Sequence, residues 1–399
     1  MLRALDDVRI LDLTHIVNGP YATLMLSFLG ADVIKLEPPG QGEKARALLP
    51  VRGVAHESYP FIMLNSNKKS ITLNLKTERG KVLFRQLVPH VDVLVENFAL
   101  GVMDKLGLGY EVLQQLNPRL VYAASTGYGR NGPYSAYPAF DSIIQAMSGL
   151  MSTTGDPDGP PMKAGPPVMD VLGGIHLAAG VLGALRQRDR TGQGLFLETS
   201  LYDAALGPMI AQIATFISQD GVYQREGNAA PNRRIAPYNC YPTKDGHVFL
   251  LTLDDQRWRA LCQLMDCSEL ADDPRFATNR DRRKHAAEVD ALVSAWTLRH
   301  AKHDIMERCS AADITCGVVK DVGEIVTDPH IRARGRLQDI NHPTAGSMLV
   351  LGSPWWIDDK PLGIDTPSPS LGQHNESVYG ELLGLSAQEI ARLKEQAVI

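Results

Sequence analysis

The sequence has 399 residues and a mass of 43.6 kDa, which at ~150 residues per domain predicts two or three domains with a substantial core. Its 44% hydrophobic and 21% charged residues exclude a disordered or fibrous chain. A net charge of -5 lacks the basic excess that binding a phosphate backbone needs, so nucleic acid is not an expected partner.

Strand and helix signals alternate along the first half. Apolar runs predict strands at 8–13, 32–37, 71–75, 91–96 and 119–125, with helices at 20–29, 80–88 and 110–116. Such alternation predicts an α/β fold, a Rossmann-like large domain whose parallel sheet is covered by helices. A stretch dense in Gly and Pro, 127–167, leads into the apolar segment VMDVLGGIHLAAGVLGALRQR, long enough for a buried helix, and then into the strand LFLETS. No run approaches ~18 consecutive apolar residues. The chain enters a strand pattern directly at its start, so neither a membrane partner nor a leader is expected, and the protein is read as cytoplasmic.

After a helix at 201–218, the polar stretch QREGNAAPNRRIAP marks a boundary. Strands at HVFLLTL and ITCGVVK and helices at 256–265 and 286–297 describe a smaller α+β domain. Its charge run NRDRRKH is expected as a solvated face. The tail adds a strand at SMLVLG, a Pro-rich connector and a final helix at 386–396. The expected domains are 1–225 with 335–399, large and discontinuous, and 226–334, small. The five cysteines are odd in number and lack finger-like spacing, which predicts structural thiols and no metal site.

Gly127, Gly129 and Gly132 form a G-x-G-x-x-G after a predicted strand, but Pro133 and Pro138 interrupt the helix that a pyrophosphate site would open. A tight turn is the expected role. Asp170 lies at or near the start of a helix that carries no other charge for three turns. Two readings stay open on the residues alone. Asp170 caps the helix, or it is a nucleophile kept ionised near pKa ~4, with Gly173 and Gly174 leaving room for a bulky substrate.

The segments DLTHIVNGPYATLMLSFLGADVIKLEPPG, LNSNKKSITLNLK, VLVENFALGVMDKLGLGYE, TGYGRNGP, TGQGLFLETSLYDA, YPTKDGHV and LGQHN occur in this order. With them the chain resembles the family III CoA transferases (CaiB/BaiF type) nearly end to end. The resemblance implies that Asp170 attacks a donor thioester, giving a mixed anhydride and then an aspartyl-CoA thioester, from which an acceptor acid leaves as its own CoA thioester. It implies CoA thioesters as substrates with no permanently bound cofactor, an acyl-CoA and a small carboxylic acid as partners, and an interlocked ring-shaped homodimer.

The same resemblance carries CoA binding to His15, Val17, Leu73, Lys76, Asn97, Phe98, Lys105 and Phe140. Pro38 and Pro138 replace basic residues of some relatives, which moves phosphate contacts to Arg46 or Lys68. Phe140 stands where the related α-methylacyl-CoA racemases place a histidine, and a phenylalanine cannot exchange protons. Asp141 then positions the acceptor, modulates Asp170 or acts as a cap. Within the family, NSNKKSI, SGLMSTTG and IAPY look like the succinyl-CoA:dicarboxylate transferases of the succinate-hydroxymethylglutarate type, and Arg233 and Arg234, with Arg130 behind them, are the candidates for the unreacted carboxylate. Intramolecular CoA transfer, racemisation and non-catalytic CoA binding are the alternatives.

Overall fold

Six short strands, β1 (Arg9–Asp12), β2 (Asp32–Glu37), β3 (Lys68–Thr72), β4 (Val93–Glu96), β5 (Val121–Thr126) and β6 (Leu195–Ser200), pair in parallel in the order β3-β2-β1-β4-β5-β6. They belong to a computed structural model that describes residues 3–399. Alternate strand residues face opposite sides, and both sides are apolar because helices cover both. Leu11, Ile34, Ile71 and Leu94 pack on one side with Leu83, Phe84 and Tyr379. Ile10, Val33, Val93 and Ala123 pack on the other with Ala22, Leu26, Leu177 and Val181. The strand order reverses between β1 and β4, and in open sheets of this kind ligands bind beyond the carboxyl ends of the strands at that switch.

The helices of the first half are α1 (Asn18–Phe28), α2 (Tyr59–Asn65), α3 (Glu78–Leu87), α4 (Val102–Lys105), α5 (Tyr110–Leu116), α6 (Asp141–Met147), α7 (Leu150–Thr153) and α8 (Val168–Thr191). By length and composition α8 could cross a membrane. Here Leu177, Ala178, Val181 and Leu185 bury it against the sheet, and Gly192, at a φ of 73°, ends it in the left-handed conformation that glycine adopts without strain. The expected strand at 71–75 begins three residues earlier, at Lys68. A lysine does not read as a strand residue, but Lys68 is buried and its charge is met by Asp12.

Contacts divide the chain into two units. One comprises the chain up to Ser148, Ala164–Gly207 and Asp328–Ile399; the other comprises Gly149–Lys163 and Pro208–Thr327. The boundary therefore falls at Gly207 and Pro208 rather than at 225. The helix expected over 201–218 is two helices, α9 (Leu201–Ala204) and α10 (Ile210–Ser218), because a Gly-Pro pair cannot carry a helix through. The second unit holds an antiparallel sheet of β7 (Tyr238–Thr243), β8 (Gly246–Leu251) and β9 (Thr315–Val318), packed around Trp258, Phe276, Val293 and Trp296. The run NRDRRKH is not simply a solvated face. Arg282 within it is buried, donating to Asp255 at 2.9 Å and to the carbonyls of Ala236 and Phe276 at 2.7 and 2.9 Å. All five cysteines are free thiols.

Candidate active site

Asp170 occupies the first turn of α8 and is half-buried. The residue that caps this turn comes from another helix. Asp141, at the start of α6, accepts the N–H of Met169 at 2.7 Å and of Asp170 at 3.2 Å through Oδ1. Its Oδ2 accepts from Gln145 at 2.6 Å, and Gln145 Oε1 in turn accepts the N–H of Ala164 at 2.8 Å. Both oxygens of Asp141 are thus engaged, whereas the Asp170 carboxylate accepts no hydrogen bond from a side chain or amide among the described residues. A first-turn position favours the ionised form. Burial, and then the charge of Asp141, outweigh that preference and push Asp170 up to about 6. This corrects the expectation of an ordinary value near 4. At pH 7 such a carboxylate is still about nine-tenths ionised, and it is more basic than a solvated aspartate.

On the opposite side, Asn18 at the start of α1 donates from Nδ2 to the Asp170 carbonyl at 3.1 Å. The glycines after Asp170 serve this approach rather than a substrate. A Cβ on Gly173 would lie 2.5 Å from Asn18 Nδ2 and from Leu201 Cδ2, and one on Gly174 would lie 2.6 Å from the Asn18 carbonyl. Neither Asn18 nor Gln145 was singled out in the sequence, although the i,i+4 spacing of Asp141 and Gln145 on one helix was a readable signal.

The residues assigned to CoA mostly follow the carboxyl ends of the strands. His15 and Val17 follow β1, Leu73 and Lys76 follow β3, and Asn97, Phe98 and Lys105 follow β4. Three of them meet at the β1/β4 switch. Asn97 accepts the His15 N–H at 2.9 Å and donates to the His15 carbonyl at 3.0 Å, while the rings of His15 and Phe98 lie 5.4 Å apart. Burial, then the charges of Lys35 and Lys44, push His15 down to about 4, so its ring is neutral at pH 7. Lys76 and Lys105 are exposed, and among the described residues neither forms an ion pair.

A family profile described as CoA-transferase family III matches residues 5–375. The chain belongs to CoA-transferase family III. It is 38% identical to a succinyl-CoA–D-citramalate CoA-transferase of Chloroflexus aurantiacus, covering 100% of this chain and 98% of that protein. It is 37% identical to a formyl-CoA:oxalate CoA-transferase of Streptomyces coelicolor, covering 100% and 99%. A crystal structure of a CAIB/BAIF family protein from Brucella suis superimposes with a TM-score of 0.87 at 34% identity, over 96% of this chain and 100% of that one.

The fold of this CoA transferase removes three side chains from the expected ligand contacts. The Arg46 guanidinium is buried, paired with Glu37 at 2.7 and 2.8 Å, bonded to the carbonyls of His56 and Pro369, and stacked 3.6 Å from the Phe61 ring. Lys68 donates to Asp12, Asn65, Thr23 and the Pro20 carbonyl at 2.8–3.1 Å. The three donors of Lys68 are all committed, and Arg46 commits four of its five, with Nη1 also 3.7 Å from the buried Glu57 carboxylate, so neither is presented to a phosphate. Leu73 is a core residue, packed among Ile71, Leu36 and Leu83. Phe140 is 73% exposed beside Asp141. Arg233 and Arg234 are exposed residues of the second unit, their carbonyls held by Arg283 and Asn279. Arg130 belongs to the first unit, where its guanidinium stacks 4.7 Å from the Phe196 ring. The three glycines form a turn as expected, since Gly129 and Gly132 are left-handed at φ of 84° and 97°.

Proposed function

We propose that this CoA transferase moves CoA from an acyl-CoA donor, with succinyl-CoA preferred, to a small dicarboxylic acid through covalent chemistry at Asp170. The observation that carries the reading is a half-buried carboxylate without a hydrogen-bond partner among the described residues, raised to about 6, on a helix start where Asp141 already occupies the Met169 and Asp170 amides. Asp170 attacks the donor thioester carbonyl, forming a mixed anhydride and releasing CoA thiolate. The thiolate attacks the aspartyl carbonyl, forming the aspartyl-CoA thioester and releasing the donor acid. The acceptor carboxylate then attacks that thioester, and the returning thiolate cleaves the new anhydride to leave acceptor-CoA and free Asp170. A carboxylate that is ionised at neutral pH needs no general base for the first step.

Lys76 and Lys105 supply point charges for the CoA phosphates, and His15, Asn97 and Phe98 form the wall at the strand switch. Phe140 covers the acyl side. The two relatives are named for citramalate and oxalate as acceptors, both dicarboxylic acids although their donors differ, which supports the acceptor class more strongly than the donor. An interlocked homodimer in the cytoplasm is part of the same proposal.

Racemisation is disfavoured by a specific observation. Phe140, 73% exposed beside Asp141, stands where the racemases place the histidine that pairs with the helix-start aspartate, and its ring has no group for a second proton transfer. The test is hydroxylamine trapping after incubation with succinyl-CoA, followed by mass mapping. A hydroxamate on Asp170 is the expected product, and its absence overturns the covalent route. Product masses from C2 to C6 dicarboxylate acceptors separate intermolecular from intramolecular transfer.

A further inference from the structure

The turn between β1 and α1 carries an unusual backbone. Ile16 has a φ of 70°, a left-handed conformation that a β-branched side chain rarely adopts and that persists only where its surroundings impose it. The surroundings are side chains. The Thr14 N–H is accepted by Asp12 Oδ1 at 2.9 Å, and the Thr14 carbonyl accepts Lys35 Nζ at 2.6 Å. The His15 amide and carbonyl are both taken by Asn97. The Ile16 N–H is accepted by Glu43 Oε2 at 3.2 Å, and the same oxygen accepts the Ala45 N–H at 2.8 Å. Lys35 and Glu43 are buried and face each other at 3.9 Å, and among the described residues Glu43 Oε1 has no hydrogen bond. A buried ion pair with an unsatisfied oxygen is weak as a source of stability, so its retention points to what it holds in place.

We infer that Lys35 and Glu43 are positioning residues: together they fix the left-handed turn at Ile16, and through it the place of Val17 and Asn18 against the first turn of α8. The chain of contacts is continuous. Glu43 holds the Ile16 amide, Ile16 is two residues from Asn18, and Asn18 binds the carbonyl of Asp170. Neither Lys35 nor Glu43 touches substrate. Their effect is exerted through the backbone that carries His15 and Val17 toward CoA and through the anchor on Asp170. The inference rests on the transferase reading only for its catalytic consequence.

Amide hydrogen exchange tests the turn itself and needs no activity. In Glu43→Ala, exchange in a peptide spanning residues 13–19 is expected to be at least ~10-fold faster than in the unaltered protein, whereas Glu43→Gln, which keeps an acceptor oxygen, stays within ~3-fold. Unchanged exchange in Glu43→Ala overturns the inference, and so does equal acceleration by both variants. If Glu43→Ala does not fold, Lys35→Met, which removes the donor to the Thr14 carbonyl, takes its place with the same expectation. Steady-state succinyl-CoA:dicarboxylate transfer is measured alongside. Glu43→Ala is expected to lower kcat/KM ~30-fold, and adding Ile16→Gly, which adopts a φ of 70° without strain, recovers at least ~3-fold of that loss. A merely structural role gives no such recovery and overturns the inference. If the unaltered protein transfers no CoA, the proposed reaction fails, and the exchange data alone decide the positioning role.

Discussion

Replacing Asp170 with asparagine should destroy the activity and stabilise the protein. Burial, and then Asp141, raise the Asp170 carboxyl from the ordinary 3.8 to about 6. A rise of ~2, at ~1.36 kcal/mol for each unit of pKa, makes the ionised form ~3 kcal/mol less favourable in the fold than in the unfolded chain. The residue is half-buried, so solvent screening reduces the figure to ~1.5 kcal/mol. The favourable first-turn position is already contained in that net shift, and among the described residues no hydrogen bond to the carboxylate is lost, so the gain at pH 7.5 is ~1.5 kcal/mol. The sign fixes the pH dependence. A raised acid holds its proton more tightly when folded, so stability falls as pH rises from 3.8 to about 6 and the penalty is constant above that window. The Asp170→Asn gain is therefore full at pH 7.5 and mostly gone at pH 4.5. Urea unfolding of both proteins at the two pH values measures it, with transfer activity at least ~10³-fold down as the companion observation. A variant less stable at pH 7.5, or a gain equal at both pH values, refutes the electrostatic account of the site.

Asp141→Ala frees two amides at the start of α8 and removes the second cause of the Asp170 rise, so unfolding should come ~1–2 kcal/mol earlier. The acid limb of the kcat/KM profile for acyl-CoA should also move to lower pH, and an unmoved limb argues against Asp141 as its modulator. Arg46→Ala leaves Glu37 charged and buried, and is expected to lower stability by ~3–5 kcal/mol, read as loss of soluble protein or of cooperative unfolding; a folded variant with only a raised KM would return Arg46 to the ligand site. Lys76→Ala with Lys105→Ala should raise the KM for acyl-CoA ~10-fold while changing kcat little, and flatten its dependence on salt.

Much of the fold was legible because its signals are local. The strand at Asp32–Glu37 and the helices at Tyr110–Leu116 and Ala286–Thr297 stand where the hydrophobic period put them, since each period reports a single element's own buried face. What failed depends on partners far along the chain. Arg46 reads as a free cation until Glu37 and the distant Pro369 carbonyl fold against it, Lys68 until Asp12 does, and Arg282 until the Ala236 carbonyl and Asp255 enclose it. Asp141 shows the same limit more sharply. At the start of α6 it reads as a cap of its own helix, yet its carboxylate serves α8. Its neighbour in sequence gives no sign of this, because helix capping between two elements is a tertiary contact written in a local residue type. Gly173 and Gly174 read as room for a substrate and are room for α1.

These buried pairs bear on how an acidic protein can hold a polyanionic substrate. Beneath the strand ends, Lys35, Lys68 and Arg46 are all cations, but each is enclosed with an acid, Glu43, Asp12 or Glu37. Each pair is close to neutral as seen from outside, and none of these side chains can reach a phosphate without leaving a buried carboxylate uncompensated. His15 adds no charge at neutral pH, since burial and the nearby lysines keep it unprotonated. Exposed residues such as Lys76 and Lys105 are therefore the proposed source of positive charge for the substrate, and attraction from exposed charges is screened by salt. His15, Asn97 and Phe98, tied together by two hydrogen bonds and a ring contact, form the neutral, partly exposed wall that the proposed function assigns to CoA; in that proposal surface charge draws the polyanion in and the wall sets where the thioester end meets Asp170.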